Sequence, residues 1–133
     1  MGYSLDTNIV IALIAGNAAT RSRIIAQPPG SVFVSSIVLH ELMFGAYNSQ
    51  RIDDNLVRLK RLAFPLLPFD EGDARSAGEV RAYLKRKGTP IGTLDALIAG
   101  QARERGLVLV TANVREFERV EGLIVEDWTD RDD

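Results

Sequence analysis

Short apolar runs alternate with longer amphipathic stretches along this chain. Five runs have the length of strands: residues 3–5, 31–35, 66–69, 107–110 and 123–126. Six stretches predict helices: residues 7–15, 18–27, 36–47 (capped by Ser36), 52–63, 73–86 and 94–105. Because helices separate the strands and the run at 107–110 is apolar throughout, we expect a parallel sheet covered by helices on both faces.

Length and composition favour one domain. The chain has 133 residues, 46% hydrophobic and 26% charged, so it can bury a core and is not expected to be disordered. Its apolar run at residues 9–15 is too short to span a bilayer, and the chain has no cysteine, which is compatible with a reducing cytoplasm. We therefore expect a single cytoplasmic α/β domain over residues 1–133, with an acidic tail at 129–133.

The distribution of charge is uneven. A net charge of −2 is mildly unfavourable for a nucleic-acid ligand, because proteins that bind nucleic acids usually carry a basic surface. Basic residues nevertheless crowd at 51–61 and 81–87. Within the second group, Arg81 and Lys85 lie one turn apart on a predicted helix. This pair is either a solvated face that favours the helix C-terminus or a contact for a phosphate backbone.

Three carboxylates follow predicted strands: Asp6, Glu41 and Asp95. Each has an ordinary structural explanation, as a helix N-cap, a residue at the edge of a helix face and a partner of a helix dipole, respectively. However, Glu41 shares a helix face with Ile37 and Phe44, and a carboxylate buried on an apolar face must be paired or metal-bound. This favours a functional role.

The segment after the strand at 107–110 is also polar. Thr111 and Asn113 either cap the following turn or belong to a site, and Glu116 is either solvated or a further acid of that site. The carboxyl ends of parallel strands open into one crevice, where ligands bind. The joint placement of these side chains therefore predicts a carboxylate cluster in that crevice.

A carboxylate cluster has a chemical use. Carboxylates in one crevice repel one another, and a hard divalent cation such as Mg²⁺ or Mn²⁺ relieves the repulsion because it prefers oxygen ligands. Such a cation positions and deprotonates a water for attack on a phosphodiester. The residues alone therefore favour metal-assisted hydrolysis of a phosphoryl group.

Four motifs resemble those of PIN domains, and of the VapC-type toxins in particular, in their order and spacing. They are LDTN (5–8), HELMFGA (40–46), PIGTLDALIA (90–99) and VTANVREF (110–117). The resemblance extends over residues 3–128. It implies an α/β/α sandwich whose central parallel sheet has the strand order 3-2-1-4-5.

The same resemblance implies a function. VapC-type toxins are Mg²⁺- or Mn²⁺-dependent endoribonucleases that cut structured RNAs, often tRNA. They are usually homodimers, act in the cytoplasm of bacteria or archaea without a membrane partner, and are neutralised by a VapB antitoxin encoded alongside. For an RNA substrate, Arg81 and Lys85 are the candidate backbone contacts.

Motif matching also implies roles for particular residues. Asp6, Glu41 and Asp95 take the places of three acidic catalytic residues, with Asp6 and Asp95 as metal ligands. At the fourth acidic place Asn113 stands where many relatives have Asp, and Glu116 is the nearby acid able to supply the missing charge. Supporting positions, which orient the carboxylates and the attacking water by hydrogen bonding, are matched by Thr7, Asn8, Thr111 and Asn113.

Two other functions stay open from the sequence. A phosphatase or nucleotide hydrolase on a similar sheet would need Asp-x-Asp or a glycine-rich loop after the first strand, where this chain has Asp6, Thr7 and Asn8. A catalytically weakened domain that keeps the fold for interaction is the second alternative, favoured by Asn113. Metal-dependent RNA cleavage that requires Asp6 distinguishes both from a ribonuclease.

Overall fold

The computed structural model describes residues 1–129, so most of the predicted acidic tail, residues 130–133, lies outside the described residues. The strands are β1 (Tyr3–Leu5), β2 (Val32–Ser35), β3 (Leu66–Leu67), β4 (Val108–Val110) and β5 (Val125–Glu126). The helices are α1 (Thr7–Ile14), α2 (Ala18–Ile25), α3 (Ser36–Tyr47), α4 (Ile52–Lys60), α5 (Glu71–Arg86), α6 (Thr93–Glu104) and α7 (Val114–Phe117). None of the helices in this part of the chain combines the length and apolar character needed to cross a membrane.

The sheet has the expected order. Its strands run β3-β2-β1-β4-β5, and every neighbouring pair is parallel. In this order β1 is central, and Leu5 at its end pairs with Val110 at the end of β4. The chain therefore leaves both strands at the same edge of the sheet, with Asp6 beside Thr111, and the Asp6 amide donates to the Val110 carbonyl at 2.8 Å.

The core lies along the central strands. Leu5, Leu109 and Val110 are fully buried, as are Ile9 and Val10 of α1. This burial explains why the strand at 107–110 is apolar without interruption: both faces of β4 are covered. The core thus holds in place the ends of the strands, and the polar residues come directly after those ends.

The structure differs from the predicted local structure at the start of α3, at the start of α5 and at α7. The N-cap of α3 is Ser35, whose hydroxyl accepts from the Val38 amide at 3.0 Å, while Ser36 is helical and accepts from the Phe69 amide instead. An N-cap needs extended backbone, and Ser35 still belongs to β2. Helix α5 begins two residues before the predicted start, and the four-residue α7 was not predicted because it is too short to show a helical period.

A buried ion pair anchors the start of α5. Asp73 is completely buried, and both its carboxylate oxygens accept from Arg105, at 3.0 and 2.9 Å. Burial alone would raise the pKa of Asp73, but hydrogen bonds from Arg105, the Asp70 amide and Gln101 lower it below its ordinary value. Asp73 is therefore a buried acid with a structural role, and it does not belong to the carboxylate cluster.

Candidate active site

Asp6 is both a helix cap and part of a polar site. It is 5% exposed, and its Oδ1 accepts from the Thr7 amide at 2.8 Å as the N-cap of α1. Its Oδ2 accepts from the Thr111 hydroxyl at 2.7 Å and, more weakly, from Asn8 Nδ2 at 3.4 Å. The two interpretations of Asp6 are therefore compatible, because one oxygen caps the helix and the other faces β4.

Glu41 is tied to α1 from the neighbouring helix. The Thr7 hydroxyl donates to Glu41 Oε1 at 3.0 Å, which joins α1 to α3. The expected apolar surroundings were wrong in one respect, since Phe44 is 64% exposed and the Glu41 side chain is only half-buried. The core side of α3 is formed by Val38 and Leu42. Glu41 thus lies at the border between the core and the crevice.

Asp95 lies in the first turn of α6 and meets Glu116 of α7. A hydrogen bond with Glu116 is among the causes that raise the pKa of Asp95. Gly92, the N-cap of α6, lies against the site, since a Cβ there would be 3.3 Å from Asp95 Oδ2. Sequence reasoning did not identify this residue. Its only sequence signal is a glycine three residues before the acid that leads a helix.

The segment after β4 connects these acids. Thr111 is fully buried, and its oxygen accepts from the Asn113 amide at 3.0 Å and from Asn8 Nδ2 at 3.5 Å. Asn8 in turn accepts from the Ala112 amide at 3.1 Å through Oδ1. Asn113 donates its side-chain amide to Glu116 Oε2. Glu116 is therefore the fourth acidic side chain of the cluster, and Asn113 is its hydrogen-bond donor.

The charges of neighbouring carboxylates raise the pKa of two acids of the cluster, Asp6 and Asp95. Burial raises the pKa of Asp6, and the charges of Glu41 and Glu116 raise it further, against hydrogen bonds from Thr111 and Thr7 that lower it. The pKa of Asp95 is raised to about 6 by burial first, then by the charges of Asp6, Glu116 and Glu41 and by the hydrogen bond with Glu116. The crevice therefore concentrates negative charge and holds a proton more tightly than an isolated carboxyl group.

The donor set suits a hard cation. Among residues 1–129, no group of three or more acidic, histidine or cysteine side chains is arranged so that it could hold a metal ion together. Mg²⁺ needs fewer protein ligands, since it commonly binds through one or two carboxylates and keeps several waters. Asp6 and Asp95 meet that requirement chemically, and the Thr111 hydroxyl and the Asn8 amide are available to orient Asp6.

The basic pair, Arg81 and Lys85, lies outside the carboxylate cluster. Arg81 and Lys85 are both exposed in the second half of α5. Because α5 and α6 pack as an antiparallel pair joined by residues 87–92, the end of α5 faces the beginning of α6, where Asp95 lies. The pair is therefore at the same end of the helices as the cluster, without being part of it.

An apolar groove adjoins the cluster at Glu41. Its volume is about 290 Å³, and Glu41 and Arg58 provide its charged lining. The apolar lining residues come from α1, α3 and α4 and are Ile11, Ile14, Leu42, Ala46 and Leu59. Since Glu41 also belongs to the carboxylate cluster, the groove and the cluster share this residue.

Comparisons with known proteins agree with this architecture. The PIN domain family matches residues 3–123. The chain is 42% identical over 129 residues to the tRNA(fMet)-specific endonuclease VapC of Shigella flexneri, covering 96% of this chain and 98% of that protein. It is 38% identical to ribonuclease VapC2 of Haemophilus influenzae, covering 95% and 97%.

Solved structures show the same fold. A chain from the DNA-bound VapBC complex of Salmonella typhimurium superposes with a TM-score of 0.91 at 40% identity, covering 96% of this chain and 98% of that one. A chain from VapBC-1 of nontypeable Haemophilus influenzae gives a TM-score of 0.88 at 33% identity, covering 98% and 100%. The polar residues after β1 and β4, the parallel sheet and these likenesses together establish that the chain belongs to the PIN domain family, among the VapC proteins.

Proposed function

We propose that this chain is a VapC-type endoribonuclease toxin that hydrolyses RNA with the help of Mg²⁺ or Mn²⁺. The observation that carries the proposal is the cluster at the carboxyl edge of the sheet, in which burial and the charges of Glu41 and Glu116 raise the pKa of Asp6 and of Asp95. The relatives named ribonucleases support the reaction class. A phosphatase is not favoured, because Asn8, at the place where that chemistry needs an acid, serves as a hydrogen-bond donor to Asp6.

Each residue has a distinct task in this proposal. Asp6 and Asp95 would hold the cation, which when bound supplies Lewis-acid stabilisation of the phosphate and a water of lowered pKa. Thr111 and the Thr7 amide fix the Asp6 carboxylate from two sides. Glu41 has one oxygen occupied by the Thr7 hydroxyl, which leaves its other oxygen able to accept a proton from an attacking water.

A direct assay tests the proposal. The purified chain should cleave RNA when Mg²⁺ or Mn²⁺ is added, and EDTA should stop the reaction. Asp6→Asn removes a charge at the centre of the cluster but keeps a side-chain oxygen that can cap α1, so it should fold and fail to cleave. Cleavage that continues in EDTA, or in Asp6→Asn, would contradict the metal mechanism.

We propose tRNA, and initiator tRNA in particular, as the substrate, in the cytoplasm of a bacterial cell. The support is the 42% identical relative whose name specifies tRNA(fMet). Brief expression followed by sequencing of newly formed RNA ends measures this directly. Cut sites spread over mRNA without enrichment in any tRNA would contradict it.

The exposed basic pair on α5 is expected to contact the RNA backbone. Arg81→Ala with Lys85→Ala should raise the RNA concentration for half-maximal cleavage while the maximal rate stays nearly unchanged. The salt dependence of binding should flatten by roughly one unit for each phosphate that the protein no longer neutralises. A matched control is Arg21→Ala with Arg75→Ala, which removes the same charge from other exposed positions. Equal effects of the two pairs would show that only net charge matters.

The apolar groove beside Glu41 is the proposed docking site of a VapB-type antitoxin. The solved relatives are VapBC complexes, and the groove offers apolar contacts that end at the carboxylate cluster. An antitoxin segment with apolar side chains followed by Arg or Lys fits this surface, since the basic group would pair with the carboxylates and compete with the cation.

A substitution in the groove tests the docking site. Ile11 lines the groove and is 54% exposed, so Ile11→Glu should weaken co-purification with the antitoxin encoded alongside by tenfold or more, because it adds an unpaired charge to an apolar contact. Ile25→Glu, at a 69% exposed position that does not line this groove, is the control. Equal retention of antitoxin by both variants would argue against the groove.

We also propose that the chain forms a homodimer. Phe44 and Tyr47 on α3 are 64% and 61% exposed, and neighbouring large apolar side chains commonly mark an interface. The molar mass in solution, measured by light scattering, tests this. A single copy of this chain per particle at micromolar concentration, both alone and in the complex with antitoxin, would contradict it.

A further inference from the structure

The beginning of α7 has an unusual hydrogen-bond pattern. Asn113 is the N-cap of this helix, yet its side chain makes no capping hydrogen bond. An asparagine at an N-cap normally accepts from a backbone amide two or three residues later, as Asn17 does at the start of α2 by accepting from the Thr20 amide at 2.9 Å. The side chain of Asn113 is therefore used for something other than capping.

That use is a contact with Glu116. Asn113 donates its Nδ2 hydrogen to Glu116 Oε2. Glu116 stands three residues after the cap, where a capping box would turn its carboxylate back to the cap's own amide. Here that amide donates to the Thr111 hydroxyl oxygen at 3.0 Å instead. Both side chains that could have stabilised the beginning of α7 by capping are thus paired with each other.

The contact determines where the Glu116 charge lies. Glu116 also raises the pKa of Asp95, through its charge and a hydrogen bond, and its charge raises the pKa of Asp6. A carboxylate at position 113 would repel Glu116 instead of donating to it. A neutral amide donor is therefore the residue type that this position needs when the fourth acid stands at 116.

We propose that Asn113 is a positioning residue, which holds the Glu116 carboxylate toward Asp95 and so completes the acidic site. The inference rests on the proposed metal-dependent function. In the sequence, Asn113 favoured a catalytically weakened domain as an alternative. Under this proposal it supports the site instead, because it orients the fourth acid.

Mn²⁺ affinity measured by calorimetry tests this independently of activity. Asn113→Ala should weaken Mn²⁺ binding by about tenfold or more, as removal of an outer partner of a metal site typically does. Its thermal midpoint in EDTA should stay near that of the unchanged protein, because Asn113 is exposed and its side chain makes no capping hydrogen bond. Cleavage should recover at high Mn²⁺, so that the metal requirement changes more than the maximal rate.

Asn17→Ala is the matched control. It removes an asparagine that does cap its helix, so it should lower the thermal midpoint and leave Mn²⁺ affinity unchanged. A residue that merely stabilised α7 would behave like Asn17, and that result for Asn113→Ala would overturn the proposal.

A double-mutant cycle shows whether Asn113 acts through Glu116. In the Glu116→Gln background, the further change Asn113→Ala should have almost no effect on Mn²⁺ affinity, because its carboxylate partner is already gone. Multiplicative effects of the two changes would overturn the assignment. An unchanged protein that neither binds Mn²⁺ nor cleaves RNA would overturn the proposed function as well, whereas unchanged Mn²⁺ affinity in Asn113→Ala would overturn this inference alone.

Discussion

Asp95→Asn is expected to abolish RNA cleavage while leaving the metal-free protein as stable as before or more stable. Loss of activity should reach roughly 10³-fold or more, the scale on which removal of an essential catalytic group acts. The stability gain has a separate cause. Burial and the charges of Asp6, Glu116 and Glu41 raise the pKa of Asp95 to about 6, so ionising Asp95 costs the folded protein free energy.

The gain should depend on pH in a defined direction. The folded pKa of Asp95 lies above its unfolded value of about 3.9, so the folded state binds a proton more tightly than the unfolded state. The cost of ionisation is absent below pH 4, grows as the pH rises from about 4 to 6, and is complete above 6. Because asparagine does not ionise, the advantage of Asp95→Asn should follow the same course and reach on the order of 1 kcal/mol at pH 8, after allowance for solvent screening.

Urea unfolding in EDTA at pH 4.5 and pH 8 measures this difference. Asp54→Asn, at an exposed acid on α4, is the control and should change neither stability nor cleavage. Added Mn²⁺ should stabilise the unchanged protein by mass action and stabilise Asp95→Asn much less. A large loss of stability in EDTA would instead show that Asp95 is a structural residue.

Gly100→Ala is expected to cause a large loss of folding stability. A Cβ at Gly100 of α6 would lie 2.4 Å from the Ala77 Cα and 2.5 Å from the Ala77 nitrogen. Both are backbone atoms of α5, so the clash cannot be relieved by turning a side chain, and the two helices must move apart. We expect a decrease of about 3 kcal/mol in the free energy of unfolding, at the upper end for overpacked cores.

The neighbouring helix provides the control for this substitution. Gly78 lies in α5, is exposed, and would have no atom within 4 Å of an added Cβ. Gly78→Ala should therefore stabilise the protein by about 0.5–1 kcal/mol, because alanine favours a helix more than glycine does. Urea midpoints of the two variants should move in opposite directions. Similar midpoints would show that α5 and α6 are not packed this closely.

A functional effect should accompany the loss of packing. Asp95 lies near the start of the same helix as Gly100, so a shift of α6 away from α5 also displaces this carboxylate from Glu116. At a temperature where Gly100→Ala is still folded, its Mn²⁺ affinity should be reduced, while that of Gly78→Ala should not.

Most of the fold could be predicted from local properties of the sequence. The alternation of apolar runs with amphipathic stretches predicted the strands and all helices but α7, since hydrophobic period and length are properties of neighbouring residues. The carboxyl-edge rule for parallel sheets brought Asp6 and Thr111 together, as the Leu5–Val110 register confirms. The strand order followed from the family resemblance, and composition could not have provided it.

Tertiary structure alone decided several features of the site and the core. Sequence could not show that Asn113 donates to Glu116, or that Glu116 lies near enough to Asp95 to raise its pKa, because both depend on how α6 and α7 are placed. Nor could it show that Gly100 lies against the Ala77 backbone or that Phe44 is exposed. Each of these depends on residues distant in sequence that the fold brings within a few ångströms, and no local pattern carries that information.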